Sequence, residues 1–123
     1  MKLIFSIFLF FILSCQTTTI KNNNNGKENN VSVGWLDSDT YTVQVVGSDE
    51  VVAVDKAKHK ILKDIVNVRV LNGSKYTDIT KIKNEFEQPL LKGKIIKKRK
   101  HPKGLEIYFQ IYGKGLKKKF ERQ

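Results

Sequence analysis

The first thirty residues constrain the fold most strongly, because a short apolar segment is followed there by a long polar one with almost no apolar content. An almost continuous apolar run spans residues 3–13, after Lys2 and before Cys15. Residues 16–30 are mostly asparagine and other polar side chains, so burial of apolar surface cannot offset the entropy cost of ordering them. Folding is therefore expected within residues 31–123, a length that suits one small domain with a modest core.

The N-terminal segment has the pattern of a bacterial lipoprotein signal peptide. Lys2 provides the positive charge, residues 3–13 the short apolar region, and Ile12-Leu13-Ser14-Cys15 resembles the lipobox. As a helix, that apolar region would rise only about 16 Å, whereas the hydrocarbon core of a bilayer is roughly 30 Å thick. We therefore predict a signal peptide at residues 1–14. Cys15 would be the first mature residue, with its thiol as the attachment point for a lipid that carries two or three acyl chains such as palmitate.

The rest of the N-terminal region fits the same interpretation. Cys15 is the single cysteine of the chain, so an exported form could make no internal disulfide, and lipidation would consume its free thiol. Residues 15–30 would then be the lipidated cysteine and a disordered, asparagine-rich tether. No cofactor other than this covalent lipid is predicted. The expected location is the bacterial cell envelope, and Gln16 in place of a retention aspartate favours the outer membrane over the inner one.

Apolar periodicity within residues 31–123 predicts an α+β fold. In order, it predicts a strand at 40–46, a helix at 49–64 capped by Ser48, a strand at 65–71, a helix at 78–89 ended by Pro89, and a hairpin of strands 94–100 and 105–112. The expected architecture is a small two-layer domain with the order β-α-β-α-β-β and its helices packed on one face of the sheet. If the first two strands are parallel neighbours, a right-handed crossover joins them. Residues 116–123 are expected to form a short basic tail.

Positive charge is concentrated at the C-terminal end of the chain. Residues 91–123 contain twelve lysines or arginines and two acidic residues, whereas residues 15–90 contain ten of each kind. An exported domain with this field would attract anionic lipid, peptidoglycan or polysaccharide. The candidate anion-binding residues are Lys94, Lys97, Lys98, Arg99, Lys100, Lys103, Tyr108 and Tyr112. The alternative is that the lysines only protect an edge strand from pairing with other chains.

Few residues suit catalysis, metal binding or nucleic-acid recognition. His59 and His101 are far apart in sequence and lack a second histidine or cysteine at ligand spacing, so no metal site is predicted. Asp37 and Asp39 could act as an acid-base pair or bind calcium, but a loop role is expected. The segment 103–109 loosely echoes an RNA-binding strand, yet Glu106 would repel phosphate.

The order of predicted elements resembles the Lpp-twenty lipoprotein family and the N-terminal domain of the flagellar assembly protein T. The resemblance rests on the strand 41–47, on the aliphatic spacing that leads into residues 66–70, and on hairpin segments 91–96 and 104–109. The spaced helix positions are Ala53, Ala57, Ile61 and Ile65. The resemblance implies a membrane-associated bacterial lipoprotein with an α+β fold and no established chemistry.

These observations predict a non-enzymatic, membrane-anchored envelope lipoprotein with a binding or scaffolding role at an anionic partner. Nucleic acid is not an expected partner. Two alternatives remain: a surface-exposed adhesin or ligand-binding lipoprotein, and a small periplasmic hydrolase. The hydrolase would require a cleft with converging polar groups.

Overall fold

The computed structural model describes residues 31–123, so the predicted signal peptide, the lipidated Cys15 and the tether lie outside the described residues. Ser32–Gln123 form one compact unit. The elements are β1 (Gly34–Asp37), β2 (Thr40–Gly47), α1 (Glu50–Leu71), α2 (Ile79–Glu85), α3 (Glu87–Leu91), β3 (Lys94–His101), β4 (Gly104–Tyr112) and α4 (Leu116–Phe120). The strands form one sheet in the order β1-β2-β4-β3, and all neighbours are antiparallel.

The α+β fold class is confirmed, but the element order is β-β-α-α-α-β-β-α instead of β-α-β-α-β-β. The parallel crossover considered between the first two predicted strands is also absent, because residues 65–71 belong to the helix α1. Packing of the helices on one face of the sheet stays a prediction.

The core joins the long helix α1 to strands β2 and β4. Alternate residues of these strands are buried with one apolar stripe of α1, and the shared cluster consists of Val43, Ile107, Phe109 and Ile111 from the sheet and Ala53, Ala57, Ile61, Leu62 and Ile65 from the helix. Small residues allow a close approach, since a Cβ atom added to Gly47 would lie 2.5 Å from the backbone nitrogen of Ala53. The helix begins with Asp49, not the predicted Ser48, as its N-cap, and the Asp49 carboxylate accepts from the Val52 N–H at 2.9 Å.

The strand predicted at residues 65–71 is wrong, because α1 continues through this segment to Leu71. Its β-branched residues and alternating pattern suggested a strand, but propensity is a weak preference that tertiary packing overrides. Ile61, Ile65 and Arg69 are all fully buried, and their spacing of four places them on one side of a helix. Burial of this stripe therefore decides the conformation.

The sequence Asn72-Gly73 ends the helix α1. The Gly73 N–H donates to the carbonyl of Val70 at 3.1 Å, and the Ser74 N–H donates to that of Arg69 at 2.8 Å. These two bonds form a Schellman motif, which requires a left-handed residue at the position of Gly73. Its φ of 71° meets that requirement.

Arg69 holds three parts of the chain together from inside the protein. Its side chain is 0% exposed and forms a two-pronged ion pair with the Glu85 carboxylate of α2, at 3.2 and 3.1 Å. It also donates to the carbonyls of Tyr76 and Phe120, both at 3.1 Å, and to that of Lys119. The ring of Phe86 lies 5.5 Å from the guanidinium carbon. One cation thus connects α1, α2 and α4.

Two further elements differ from the sequence prediction. Pro89 does not end the second helix: α2 stops at Glu85, and Pro89 lies in the first turn of α3, where its missing N–H is tolerated. Residues 116–120 form the helix α4, not a basic tail, because Leu116 and Phe120 are buried. The Phe120 ring lies 4.7 Å from the ring of Trp35, a residue of the unpredicted strand β1.

Candidate anion-binding surface

Strands β3 and β4 form the predicted hairpin, and β3 lies at one edge of the sheet. The turn between the strands is tight, since the Lys103 N–H donates to Nδ1 of His101 at 3.1 Å. Gly104 has a φ of 135°, and a Cβ atom there would lie 2.2 Å from the carbonyl oxygen of Gly47. Glycine is therefore required at this position by both conformation and space.

A β-bulge at Ile96 sorts the lysines of β3 onto two sides of the sheet. Ile95 pairs with Phe109 and Lys97 with Tyr108, so Ile96 is an extra residue without an opposite partner. Lys94 and Lys97 are three residues apart, a spacing that would put them on opposite faces of a regular strand. Because of the bulge, both lie opposite β4 residues whose side chains point away from the core.

These residues, together with alternate positions of β2 and β4, form a polar surface that we call the outer sheet face. It consists of Gln44, Lys94, Lys97, Tyr108, Gln110 and Tyr112. The Lys97 ammonium lies 5.6 Å from the centroid of the Tyr108 ring, close enough for a cation–π interaction. Tyr112 is 65% exposed. Tyr108 and Tyr112 are four positions apart along the extended strand, a distance of about 13 Å.

Glutamines add hydrogen-bonding groups to the outer sheet face. The Gln110 amide donates to the Thr42 hydroxyl at 3.2 Å, and the Gln44 amide donates to the Glu106 carboxylate. Sequence reasoning missed both glutamines as candidate site residues. The alternation of β4 could have identified Gln110 between two tyrosines. Gln44 could not have been found this way, because its position depends on the register of β2 against β4.

Arg99 is exposed on the same side of the sheet but is engaged with Glu106. Its guanidinium donates to the Glu106 carboxylate, which is almost buried between Arg99 and Gln44. The hydrogen bond from Arg99 is the main cause that lowers the pKa of Glu106, against an opposing effect of burial. Glu106 therefore stays ionised and neutralises Arg99. Lys94 and Lys97 are the other cations of the outer sheet face.

The other predicted lysines do not join this surface. Lys98 and Lys100 lie opposite Ile107 and Leu105, whose side chains point toward the core, so we call these two the core-side lysines. Lys98 forms an ion pair with Glu50 of α1 at 2.9 Å. Lys103 is exposed in the hairpin turn. The structure thus divides the predicted cluster into an outer pair, a core-side pair and a turn lysine.

A second group of lysines is ordered by the helix α4. Its three consecutive lysines, Lys117, Lys118 and Lys119, are exposed, whereas the residues on either side of them are buried. The helix is also fixed to the turn between β1 and β2, since the Lys117 N–H donates to the carbonyl of Ser38 at 2.9 Å. These lysines belong to a fixed surface and not to a solvated tail.

The residues considered for acid-base chemistry have structural roles in turns. The Asp37 carboxylate accepts from the Asp39 N–H at 2.8 Å, and the Asp39 carboxylate accepts from the Gly115 N–H at 2.9 Å. His59 lies on the exposed side of α1, with Nδ1 3.2 Å from the carbonyl oxygen of Asp55.

Among residues 31–123, histidine, cysteine and acidic side chains do not come together in any group of three or more suited to a metal ion. Within the same range, every helix is too short or too polar to cross a membrane.

Comparison with known protein families, curated proteins and solved structures finds no match to this chain. The resemblance to the Lpp-twenty family and to the flagellar assembly protein T therefore stays a prediction.

Proposed function

We propose that this protein is a non-enzymatic, lipid-anchored protein of the bacterial cell envelope that binds an anionic saccharide polymer through its outer sheet face. One observation carries the proposal: Lys94, Lys97, Tyr108 and Tyr112 lie on one surface. The side chains of Gln44 in β2 and Gln110 in β4 belong to the same surface. The anchor would be the lipid on Cys15, which the sequence pattern supports.

The chemistry of the outer sheet face favours a saccharide over a lipid headgroup. Lysine ammonium groups attract carboxylates, and glutamine amides can exchange hydrogen bonds with sugar hydroxyls. Tyrosine rings offer an apolar surface together with a polar hydroxyl, which suits the mixed surface of a sugar ring. Binding of an anionic lipid headgroup would require only the positive charges of the lysines, and not the glutamines and tyrosines. Peptidoglycan and acidic polysaccharides carry both kinds of group and are the partners we favour.

The proposed anchor would hold the domain close to such polymers. If residues 16–30 behave as a flexible coil, their average end-to-end distance is roughly 20 to 25 Å, and full extension allows at most about 50 Å. A weak intrinsic affinity would then suffice, because the tether raises the effective concentration of the domain at the membrane surface.

Co-sedimentation with purified peptidoglycan at several salt concentrations tests the binding surface. We expect the wild type to sediment at low salt and to be released as the salt concentration rises. The double variant Lys94→Glu with Lys97→Glu should stay in the supernatant. A matched control, Lys63→Glu with Lys83→Glu, changes the net charge equally on exposed positions of α1 and α2.

Three results would contradict the proposed surface. Equal loss in both double variants would indicate a dependence on net charge alone. Unchanged sedimentation of the Lys94 and Lys97 variant would leave these lysines with the role of protecting an edge strand. Binding to anionic vesicles but not to peptidoglycan would assign the surface to lipid headgroups.

Labelling with palmitate and membrane fractionation test the anchor, with Cys15→Ser as the variant. We expect the wild type to carry label and to fractionate with membranes, and the variant to lose both properties. An unlabelled wild type would refute lipid attachment. Protease treatment of intact cells distinguishes the placements, since digestion without lysis would support a surface-exposed ligand binder over a periplasmic protein.

A further inference from the structure

The edge strand β3 borders an open groove whose lining includes Lys94 and Lys97 of the outer sheet face and also core-side and helical residues. β3 pairs with β4 on one side, and no strand of residues 31–123 pairs with its other side. Between this edge and the N-terminal part of α1 lies a groove of about 540 Å³ with Val54, Ile96 and Phe109 in its lining. An exposed edge of this kind can accept an extended chain through main-chain hydrogen bonds, and an adjoining groove can accept its side chains.

The charges along this edge determine which chain it can accept. Four consecutive cations, Lys97 to Lys100, follow the bulge and alternate between the outer and core sides. Glu50 and Glu106 compensate two of these charges, at Lys98 and Arg99, so the edge keeps a net positive charge. Two copies of β3 would bring these cations against each other, so pairing of the protein with itself is opposed. Lys58 of α1 adds a further positive charge to the groove. Glu50 also lines the groove, but it already pairs with Lys98.

We propose that β3 accepts an extended acidic segment of a partner protein as an additional, antiparallel strand of the sheet. Acidic side chains of that segment would lie opposite residues 97–100, on both sides of the sheet. In an antiparallel arrangement the segment then continues toward Ile96, where an apolar side chain can enter the groove beside Val54 and Phe109. The expected partner sequence is therefore a short run of acidic residues followed by one or two apolar residues.

Synthetic peptides test this proposal without knowledge of the natural partner. The probe is a blocked peptide with four glutamates followed by two valines, added to the isotopically labelled protein and followed by NMR. We expect saturable shifts at the amides of residues 96–101 and slower hydrogen exchange there. The same peptide with N-methyl groups on alternate residues keeps its charge but cannot donate the main-chain hydrogen bonds to β3. Its affinity should therefore fall at least tenfold.

Protein variants distinguish this edge from the outer sheet face. Lys98→Glu with Lys100→Glu changes only the core-side lysines and should abolish peptide binding while sedimentation with peptidoglycan persists. Equal affinity for the methylated and unmethylated peptides would overturn the proposal and indicate attraction by charge alone. Absence of any shift at millimolar peptide, or shifts confined to Tyr108, Tyr112 or α4, would also overturn it.

Discussion

Replacing Arg69 with methionine should destabilise the domain severely, because the buried guanidinium has five hydrogen bonds and no access to water. The change leaves the carbonyl of Phe120 unpaired in the interior and leaves Glu85 without its buried partner. A buried acceptor without a partner costs about 1–3 kcal/mol, and breaking a buried ion pair on one side costs about 3–5 kcal/mol. Because Glu85 is 25% exposed and can be partly hydrated, we expect a loss of about 3–4 kcal/mol.

Urea unfolding monitored by circular dichroism measures this loss. The total stability of a domain this size is about 5–14 kcal/mol, so the variant should stay folded only marginally at 25 °C. Each kcal/mol lowers the melting temperature by about 4–8 °C at this chain length, which predicts a fall of at least about 12 °C. Arg69→Lys keeps the charge but lacks the planar fork, so its stability should lie between those of the wild type and the methionine variant.

Arg122 provides a matched control, because it contacts the same carboxylate from outside. Its guanidinium lies 3.5 Å from Glu85, stacks 4.0 Å above the Tyr76 ring, and is 49% exposed. An exposed ion pair is worth about 0–1 kcal/mol, so Arg122→Met should cost far less than Arg69→Met. Equal losses in the two variants would refute the assignment of Arg69 as the residue that joins α1, α2 and α4.

Two further predictions concern the pH dependence of stability. Because its folded pKa is lowered, Glu106 stabilises the native state above its unfolded pKa of about 4.5, and this contribution is lost as the pH falls through the folded value. Urea midpoints should therefore fall less steeply between pH 5 and 2 in Glu106→Gln, and parallel curves would contradict this. Burial and the 2.7 Å hydrogen bond to Asp64 raise the pKa of Tyr41, so its contribution is lost as the pH rises above about 10. Tyr41→Phe should cost about 0.5–1.5 kcal/mol at pH 7 and flatten the alkaline decline, and an unaltered slope would rule out this role.

The elements predicted correctly are those in which local pattern and tertiary packing agree. Strands β2 and β4 alternate between apolar and polar residues with period two, turn residues separate β4 from β3, and the first half of α1 has helical spacing, so each was evident in the sequence. The segment 65–71 was not, because its valines favour a strand locally while burial of Ile65 and Arg69 favours a helix. Local propensity and tertiary packing conflict there, and packing prevails.

The ion pair of Arg69 shows a second limit of sequence reasoning. An arginine within an apolar segment signals an unusual environment, but its partner Glu85 lies in a different helix, so the pairing depends on tertiary structure. The same applies to Phe120. In the sequence it is one apolar residue among lysines, and only its contacts with other aromatic rings reveal that the last helix is anchored in the core.

The candidate surface was predicted in composition but not in arrangement. The candidate lysines and tyrosines lie in a hairpin, as the sequence predicted. Tyr108 and Tyr112 share a face, as expected from their spacing. The division into an outer pair and a core-side pair could not be predicted. It depends on one unpaired residue in β3, and the sequence Lys94-Ile95-Ile96-Lys97 does not show which of its two isoleucines lacks an opposite partner.

The bulge at Ile96 also determines how the length of β3 could change during evolution. Loss of Ile96 would make the strand regular and would leave Lys94 and Lys97 two residues apart, still on one face. A chain that kept Ile96 but adopted strict alternation would instead turn Lys94 toward the core and expose Ile95. A deletion at this position would therefore preserve the pattern of charge. It would also produce a straighter, less twisted edge strand, which pairs more readily with strands of other chains and so favours aggregation.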